Sequence, residues 1–138
     1  MKKKLLFLCT GNSCRSQIAE GFGKEYLIEY NISSAGAESH GINPHAIKIM
    51  YDIGIDISCQ FSKKIDLNNL NNYDVIITLC GDVKDKCPTF KNNVKHIHWD
   101  LENPANITGN NEKILNGFAD IRDKILMNIK LLKQTIKT

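Results

Sequence analysis

Two rhythms of apolar positions alternate along the chain. Residues 4–8, Lys-Leu-Leu-Phe-Leu, form a short β-rich run. From Ser16 to about Leu27 the apolar residues Ile18, Phe22 and Tyr26 recur every fourth position, with Ala19 and Leu27 beside them, which predicts a helix with one apolar face. Residues 31–35 read as a weaker second strand closed by Gly36. Asn43-Pro44 sets a capping side chain before a proline at the first helical position. The helix it opens carries Ala46, Ile47, Met50 and Ile53 and stops at Gly54. Residues 75–79, Val-Ile-Ile-Thr-Leu, read as a buried strand and residues 94–99 as a fourth. Residues 112–133 give the clearest helix, with Ile114, Phe118, Ile121, Ile125, Ile129 and Leu132 on one core-packing stripe that suggests no cofactor.

Strands separated by helices predict an α/β fold around a parallel sheet with right-handed crossovers. Residues 58–73 and 81–93 are polar connections too short to be linkers, and no internal repeat is visible, so residues 1–138 are expected to form a single domain. Sites in such folds lie at the carboxyl ends of the strands, where the strand order reverses. The segment directly after residue 8 is therefore well placed to act.

Composition narrows the function. Apolar residues make up 42% and charged residues 24%, ordinary for a globular protein, and the net charge of +3 provides no broad basic field for nucleic acid. The lysines at 2–4 look like the start of a signal peptide, but the apolar stretch behind them ends at Cys9, too short for a signal core or a membrane span. A cytoplasmic monomer without membrane contact is expected. In that compartment the five cysteines are mostly reduced, and so catalytic, redox-active or buried rather than a disulfide framework.

Directly behind the first strand, residues 9–16 read Cys-Thr-Gly-Asn-Ser-Cys-Arg-Ser. A cysteine at fixed distance from an arginine is a weak signal alone; the strand before it and the helix start after it make it informative. The first turn of a helix offers unpaired N–H groups and the positive end of its dipole to an anion. Arg15 can hold two oxygens of one oxyanion, and the same positive surroundings favour the thiolate of Cys9, to which Ser16 can donate a hydrogen bond. The bland alternative is a capped turn with a buried cysteine at a strand end.

The octet, with the following QIAEGFGKE, closely resembles the phosphate loop of the low-molecular-weight protein-tyrosine phosphatase superfamily, and within it the thioredoxin-coupled arsenate reductases. The similarity continues through SAGAESHGINPHAI, DIGIDIS, VIITLCGDV, Cys87-Pro88 and HWDLENPA, nearly the whole chain. It implies a three-layer α/β/α domain with a four-stranded parallel sheet of order 2-1-3-4. Thr10, Gly11, Asn12, Ser13, Cys14, Arg15 and Ser16 would bind the oxyanion and Cys9 would attack it, with no metal and no cofactor.

The resemblance further implies a relay. Cys9 attacks arsenate, Cys80 attacks Cys9 and expels arsenite, and Cys87 attacks Cys80, leaving a disulfide for thioredoxin to reduce. The residues are compatible with it: Cys80 ends the 75–79 strand as Cys9 ends the first, and neighbouring strands lie about 4.8 Å apart, within the Cα separation of about 4.4–6.8 Å that a disulfide needs. A polar segment starting at Gly81 connects Cys80 to Cys87. The competing use of these two cysteines is zinc binding with His96 and His98, but their spacing is wider than structural zinc sites use, and a His-x-His pair on a strand more often faces one polar side of a sheet. Cys14 is expected to pack under the loop, and Cys59 to be incidental.

Two positions depart from the family pattern. Asn103-Pro104 stands where the family usually has Asp-Pro, and asparagine can donate a hydrogen bond but not a proton. Asp100, Glu102 or water would then supply the proton, or the reaction would be slow. Some members hold potassium behind the loop with residues matching Asn12, Glu20 and Ser34 plus an aspartate. Lys63 occupies the aspartate's position, either repelling a cation, replacing it beside Glu20, or simply lying in solvent. A tyrosine phosphatase, or a non-catalytic oxyanion or redox sensor on the same scaffold, are the other functions this sequence fits.

Overall fold

The computed structural model describes residues 2–79 and 94–136. Strand β1 spans Lys3–Cys9, helix α1 Arg15–Tyr26, strand β2 Tyr30–Gly36 and helix α2 Pro44–Tyr51. A 3-10 turn at Leu67–Asn72 leads into β3, Val75–Thr78; β4, Lys95–His98, is followed by a second 3-10 turn, Pro104–Asn106, and by helix α3, Asn111–Ile136. The four strands form one parallel sheet of order β2-β1-β3-β4, as expected.

The residue types account for this order. Leu5 to Cys9 are buried without a break, and so is all of β3. Unbroken apolar runs of this kind belong in the middle of a sheet covered on both faces. Lys95 and His96 of β4 are exposed, which suits an edge strand. Gly23 of α1 lies so close to the sheet that a Cβ there would come within 3.0 Å of both Ile32 and Phe7, so α1 covers the face bearing Phe7. Leu6 points to the other face, where it shares a small cavity with Leu70 and Tyr73. Helix α3 packs against α1 and α2, burying Phe118, Ile121, Ile125, Ile129 and Leu132; Ile114 is half-buried.

Differences from the sequence pattern have local causes. Helix α2 ends at Tyr51 rather than reaching Gly54, and Ile53 is 44% exposed. The chain turns there through Gly54 at φ 85°, a left-handed conformation that glycine adopts without strain. The 3-10 turn within the polar 58–73 connection is held by Asp66, whose side chain accepts from the Asn68 N–H, and it buries Leu70. A lone leucine among asparagines carries no periodicity from which that turn could be read.

The chain leaves β1 for β2 on one side of the sheet, and β3 lies on the other. The order reverses between β1 and β3, and the loop after Cys9 opens at that point.

Candidate active site

The loop from Cys9 to Cys14 is shaped by the fate of its carbonyl groups. The Cys9 carbonyl accepts from the Ala37 N–H at 3.1 Å, that of Thr10 from Glu38 at 2.8 Å, that of Gly11 from His40 at 3.0 Å and that of Ser13 from Asn43 at 3.0 Å. The Asn12 carbonyl accepts from Gln17 Nε2 at 3.1 Å. Four of these five bonds run to the segment behind β2. In a planar trans peptide the N–H points opposite to the preceding C=O. The amides of Thr10, Gly11, Asn12 and Cys14 are thereby turned away from that segment and toward the cleft in front of the loop.

Two backbone requirements make this possible. Asn12 has φ 48°, in the left-handed region that asparagine tolerates better than most side chains. Gly36, at the end of β2, passes directly behind the loop; a Cβ there would lie 2.6 Å from the Asn12 nitrogen and 2.8 Å from the Thr10 oxygen.

The cleft holds about 120 Å³ and is lined by Cys9, Thr10, Gly11, Ser13, Cys14, Arg15, His40, Asn103 and Ala105. Cys9 is buried, and its sulfur lies 2.8 Å from Ser16 Oγ. Ser16 Oγ accepts from Asn12 Nδ2 at 2.7 Å, which leaves its own proton for the sulfur. Arg15 is buried; its Nη1 donates to the Leu101 carbonyl at 2.9 Å, while its Nε has no hydrogen-bond partner. A buried guanidinium nitrogen left unpaired beside a cleft is costly unless an acceptor comes to it, which fits an anion-binding cleft. Cys14, just before α1, provides no side-chain cap for that helix, whose first-turn N–H groups have no intrahelical acceptor. Burial pushes the Cys14 thiol up to about 11, so it stays protonated at neutral pH.

Asn12, Glu20 and Ser34 form one buried network. Asn12 Nδ2 donates to Ser34 Oγ at 2.9 Å, and Ser34 Oγ donates to Glu20 Oε1 at 2.5 Å. The other Glu20 oxygen meets an ammonium at 2.6 Å, but it belongs to Lys24, one helical turn along α1. Lys63 is exposed, with its ammonium 3.5 Å from the Phe61 carbonyl; its contribution to the network is its backbone N–H, which donates to Asn12 Oδ1 at 2.7 Å.

The chain that builds this arrangement is similar in sequence and in fold to known proteins. A family model described as low molecular weight phosphotyrosine protein phosphatase matches residues 4–138. The chain belongs to this family. It is 51% identical over 135 residues to an arsenate reductase of Shouchella clausii, covering 97% of each chain, and 49% identical over 139 residues to an arsenate reductase of Bacillus subtilis, covering 99% of this chain and all of that one. A solved arsenate reductase in its phosphate-binding state is 35% identical, with a TM-score of 0.75 over 97% of this chain and 98% of the other. A protein tyrosine phosphatase at 20% identity superposes with a TM-score of 0.80, covering the whole of this chain and 98% of the other, and so shares the fold.

Every loop residue singled out in the sequence converges on the cleft or on the network behind it. Cys80 and Cys87 lie outside the described residues; β1 and β3, however, are hydrogen-bonded neighbours, and the Leu79 N–H donates to the Leu8 carbonyl at 2.9 Å. Asn103 lines the cleft, with its Oδ1 accepting from the Ala105 N–H at 3.1 Å. Asp100 and Glu102 are exposed and do not line it. His96 and His98 share the face of the sheet that carries the buried Leu6, Leu8 and Ile76, not a polar one, and both meet the buried Thr78 Oγ1, at 3.1 and 2.7 Å. Among the described residues no group of three metal-ligating side chains converges. Cys59 is exposed. Sequence reasoning missed His40 and Ala105 in the cleft, and Lys24 beside Glu20. The signal for His40 was topological: in a parallel pair, the segments leaving the carboxyl ends of β1 and β2 lie side by side.

Proposed function

We propose that this protein is an arsenate reductase that works through three cysteines in turn. The observation that carries the reading is the buried Cys9 sulfur within hydrogen-bond distance of Ser16, on the floor of a cleft beside a buried, partly unpaired Arg15. A volume of about 120 Å³ suits a small tetrahedral oxyanion. The family relatives named arsenate reductase, matched over nearly their whole length, support the substrate.

In this reading the loop amides and Arg15 hold arsenate, and the Cys9 thiolate displaces one oxygen to form a sulfur–arsenic(V) bond. The Cys80 thiolate then attacks the Cys9 sulfur. The electron pair of the sulfur–arsenic bond goes to arsenic, which leaves as arsenite, and a Cys9–Cys80 disulfide remains. Cys87 attacks Cys80, freeing Cys9 and moving the disulfide to Cys80–Cys87, which the dithiol of thioredoxin reduces. Phosphate would fit the same cleft but cannot accept two electrons from thiols. The outcome is arsenic detoxification in the cytoplasm, by a monomer using redox-active cysteines.

Arsenate reduction coupled to NADPH through thioredoxin and its reductase tests this directly. Multiple turnovers are expected from the wild type and none from Cys80→Ser or Cys87→Ser. Mass spectrometry after arsenate treatment without reductant should find one intramolecular disulfide, Cys80–Cys87. Full turnover by Cys80→Ser would overturn the relay. A phosphatase is the second reading, favoured by the cleft itself, which holds all that a thiol-based phosphatase needs except a proton donor at Asn103; fast turnover of aryl phosphates without arsenite formation would establish it.

A further inference from the structure

We propose that His40 is the proton donor to the oxygen that leaves the bound oxyanion. The inference rests on the reductase reading for its substrate, but its geometry stands on the cleft alone.

Cys9 lies on the cleft floor, and in-line attack by its sulfur expels an oxygen on the opposite side of the oxyanion, at the mouth. Among the described residues, the side chains of the cleft outside the loop and helix start are His40, Asn103 and Ala105. Ala105 has no proton to give. Asn103 has its oxygen engaged by the Ala105 N–H, and its amide donates hydrogen bonds without releasing a proton. Arginine stays charged throughout the working range, and the buried Cys14 thiol is a very weak acid. Among the described residues of the cleft, His40 is the one whose side-chain type exchanges protons near neutrality.

Its placement suits the task. The backbone N–H of His40 is tied to the Gly11 carbonyl, which anchors the residue to the loop. The imidazole lies against Gly11 so closely that a Cβ there would come 2.5 Å from Nδ1, so the glycine is what lets the ring lie over the loop. Nε2 is 2.7 Å from Glu38 Oε2, which fixes the ring and assigns that nitrogen's proton to the carboxylate. Nδ1, on the loop side, is left to carry the proton that is transferred. Among the described residues, the charged and titratable groups around the ring are Glu38 from its own segment, Cys9 from β1, and Cys14 and Arg15 from the start of α1. The side chain is 55% exposed, so bulk water can return the proton after each cycle.

The step balances. The Cys9 thiolate, HAsO4 with two negative charges and the imidazolium give the Cys9–AsO3 adduct with two negative charges, one water and neutral imidazole. The sulfur–arsenic bond forms, the arsenic–hydroxyl bond breaks, and arsenic remains pentavalent until the next thiol attacks.

The test compares wild type, H40Q and H40Q/N103D in arsenate reduction with saturating reductant across pH, with phosphate binding measured by calorimetry. In H40Q kcat/KM for arsenate is expected to fall by about 10²-fold, as for loss of a general acid. The shape of its pH profile should differ from that of the wild type, while phosphate affinity is retained. N103D in the H40Q background should restore part of the rate by placing a carboxyl group at the mouth. An unchanged kcat/KM and pH profile in H40Q would overturn the proposal. If the wild type forms no arsenite, the reductase reading fails on its own, and His40 is then judged on phosphate esters. A greater loss with phenyl phosphate than with p-nitrophenyl phosphate, whose leaving group needs no proton, supports the role; equal losses refute it.

Discussion

The hydroxyl oxygen of Ser16 lies 2.8 Å from the sulfur of Cys9 and accepts from Asn12 Nδ2, so its own proton is available to a Cys9 thiolate, which can only accept. The direction matters, since a donated proton stabilises a thiolate and an accepted one does not.

Ser16→Ala should therefore slow alkylation of Cys9 by iodoacetamide at neutral pH. One lost hydrogen bond to a charged group is worth about 1.5–3 kcal/mol, or roughly a tenfold to hundredfold change. Peptide mapping of the alkylated protein over a pH series reads this out. An alkylation rate at Cys9 equal to the wild type would show that the hydroxyl has no influence on the thiolate.

Arg15→Lys keeps the charge and loses the planar fork. Phosphate binding is expected to weaken by roughly 10–100-fold, since one ammonium cannot reproduce paired N–H donors and also lacks the bond to the Leu101 carbonyl. Isothermal titration with phosphate checks it; affinity within about twofold of wild type would argue against guanidinium recognition.

Because Lys24 already neutralises the buried Glu20, melts in potassium and in sodium at equal ionic strength should coincide. Lys24→Met should lower stability by about 1–2 kcal/mol, less than for a fully enclosed pair because the ammonium is half exposed. A rise in the wild-type midpoint specific to potassium would contradict this arrangement.

Cys14 carries a pH signature. Its thiol is raised to about 11 in the fold, from an ordinary value of 9.0. The unfolded chain therefore loses this proton first, so the contribution to stability is complete below pH 9.0 and is lost as pH rises toward about 11. The amount is on the order of 2–3 kcal/mol. Midpoints of Cys14→Ala and wild type tracked through this window should converge or cross, with the wild type falling more steeply; parallel curves would remove Cys14 as the cause.

Much of the fold could be read from the sequence because the physics was local or periodic. Leu5 to Leu8 and Val75 to Ile77 are apolar without alternation because both sheet faces are covered. Asn43-Pro44 announced α2, and Asn43 Oδ1 indeed accepts from the His45 N–H at 2.8 Å. The loop residues were legible because an oxyanion cradle demands an unusual local sequence. The hidden features were set by contacts between distant segments. Lys24 on α1 looks like any exposed helical lysine until the buried network around Glu20 is seen, and His40 gains its position only when the end of β2 is laid beside the end of β1.

The outward pairing of the loop carbonyls has a further consequence. The attraction that the cradle exerts on an anion comes from fixed amide dipoles and from a guanidinium, none of which gains or loses a proton near neutrality. On the proposed reading, the cradle's own contribution to recognition is thus insulated from acidity, and the pH response is concentrated in the oxyanion itself and in the groups that do chemistry. Two functions that share one cleft of about 120 Å³ are kept separately adjustable: a change in pH would alter how fast a captured oxyanion reacts while leaving the cradle's own grip unchanged.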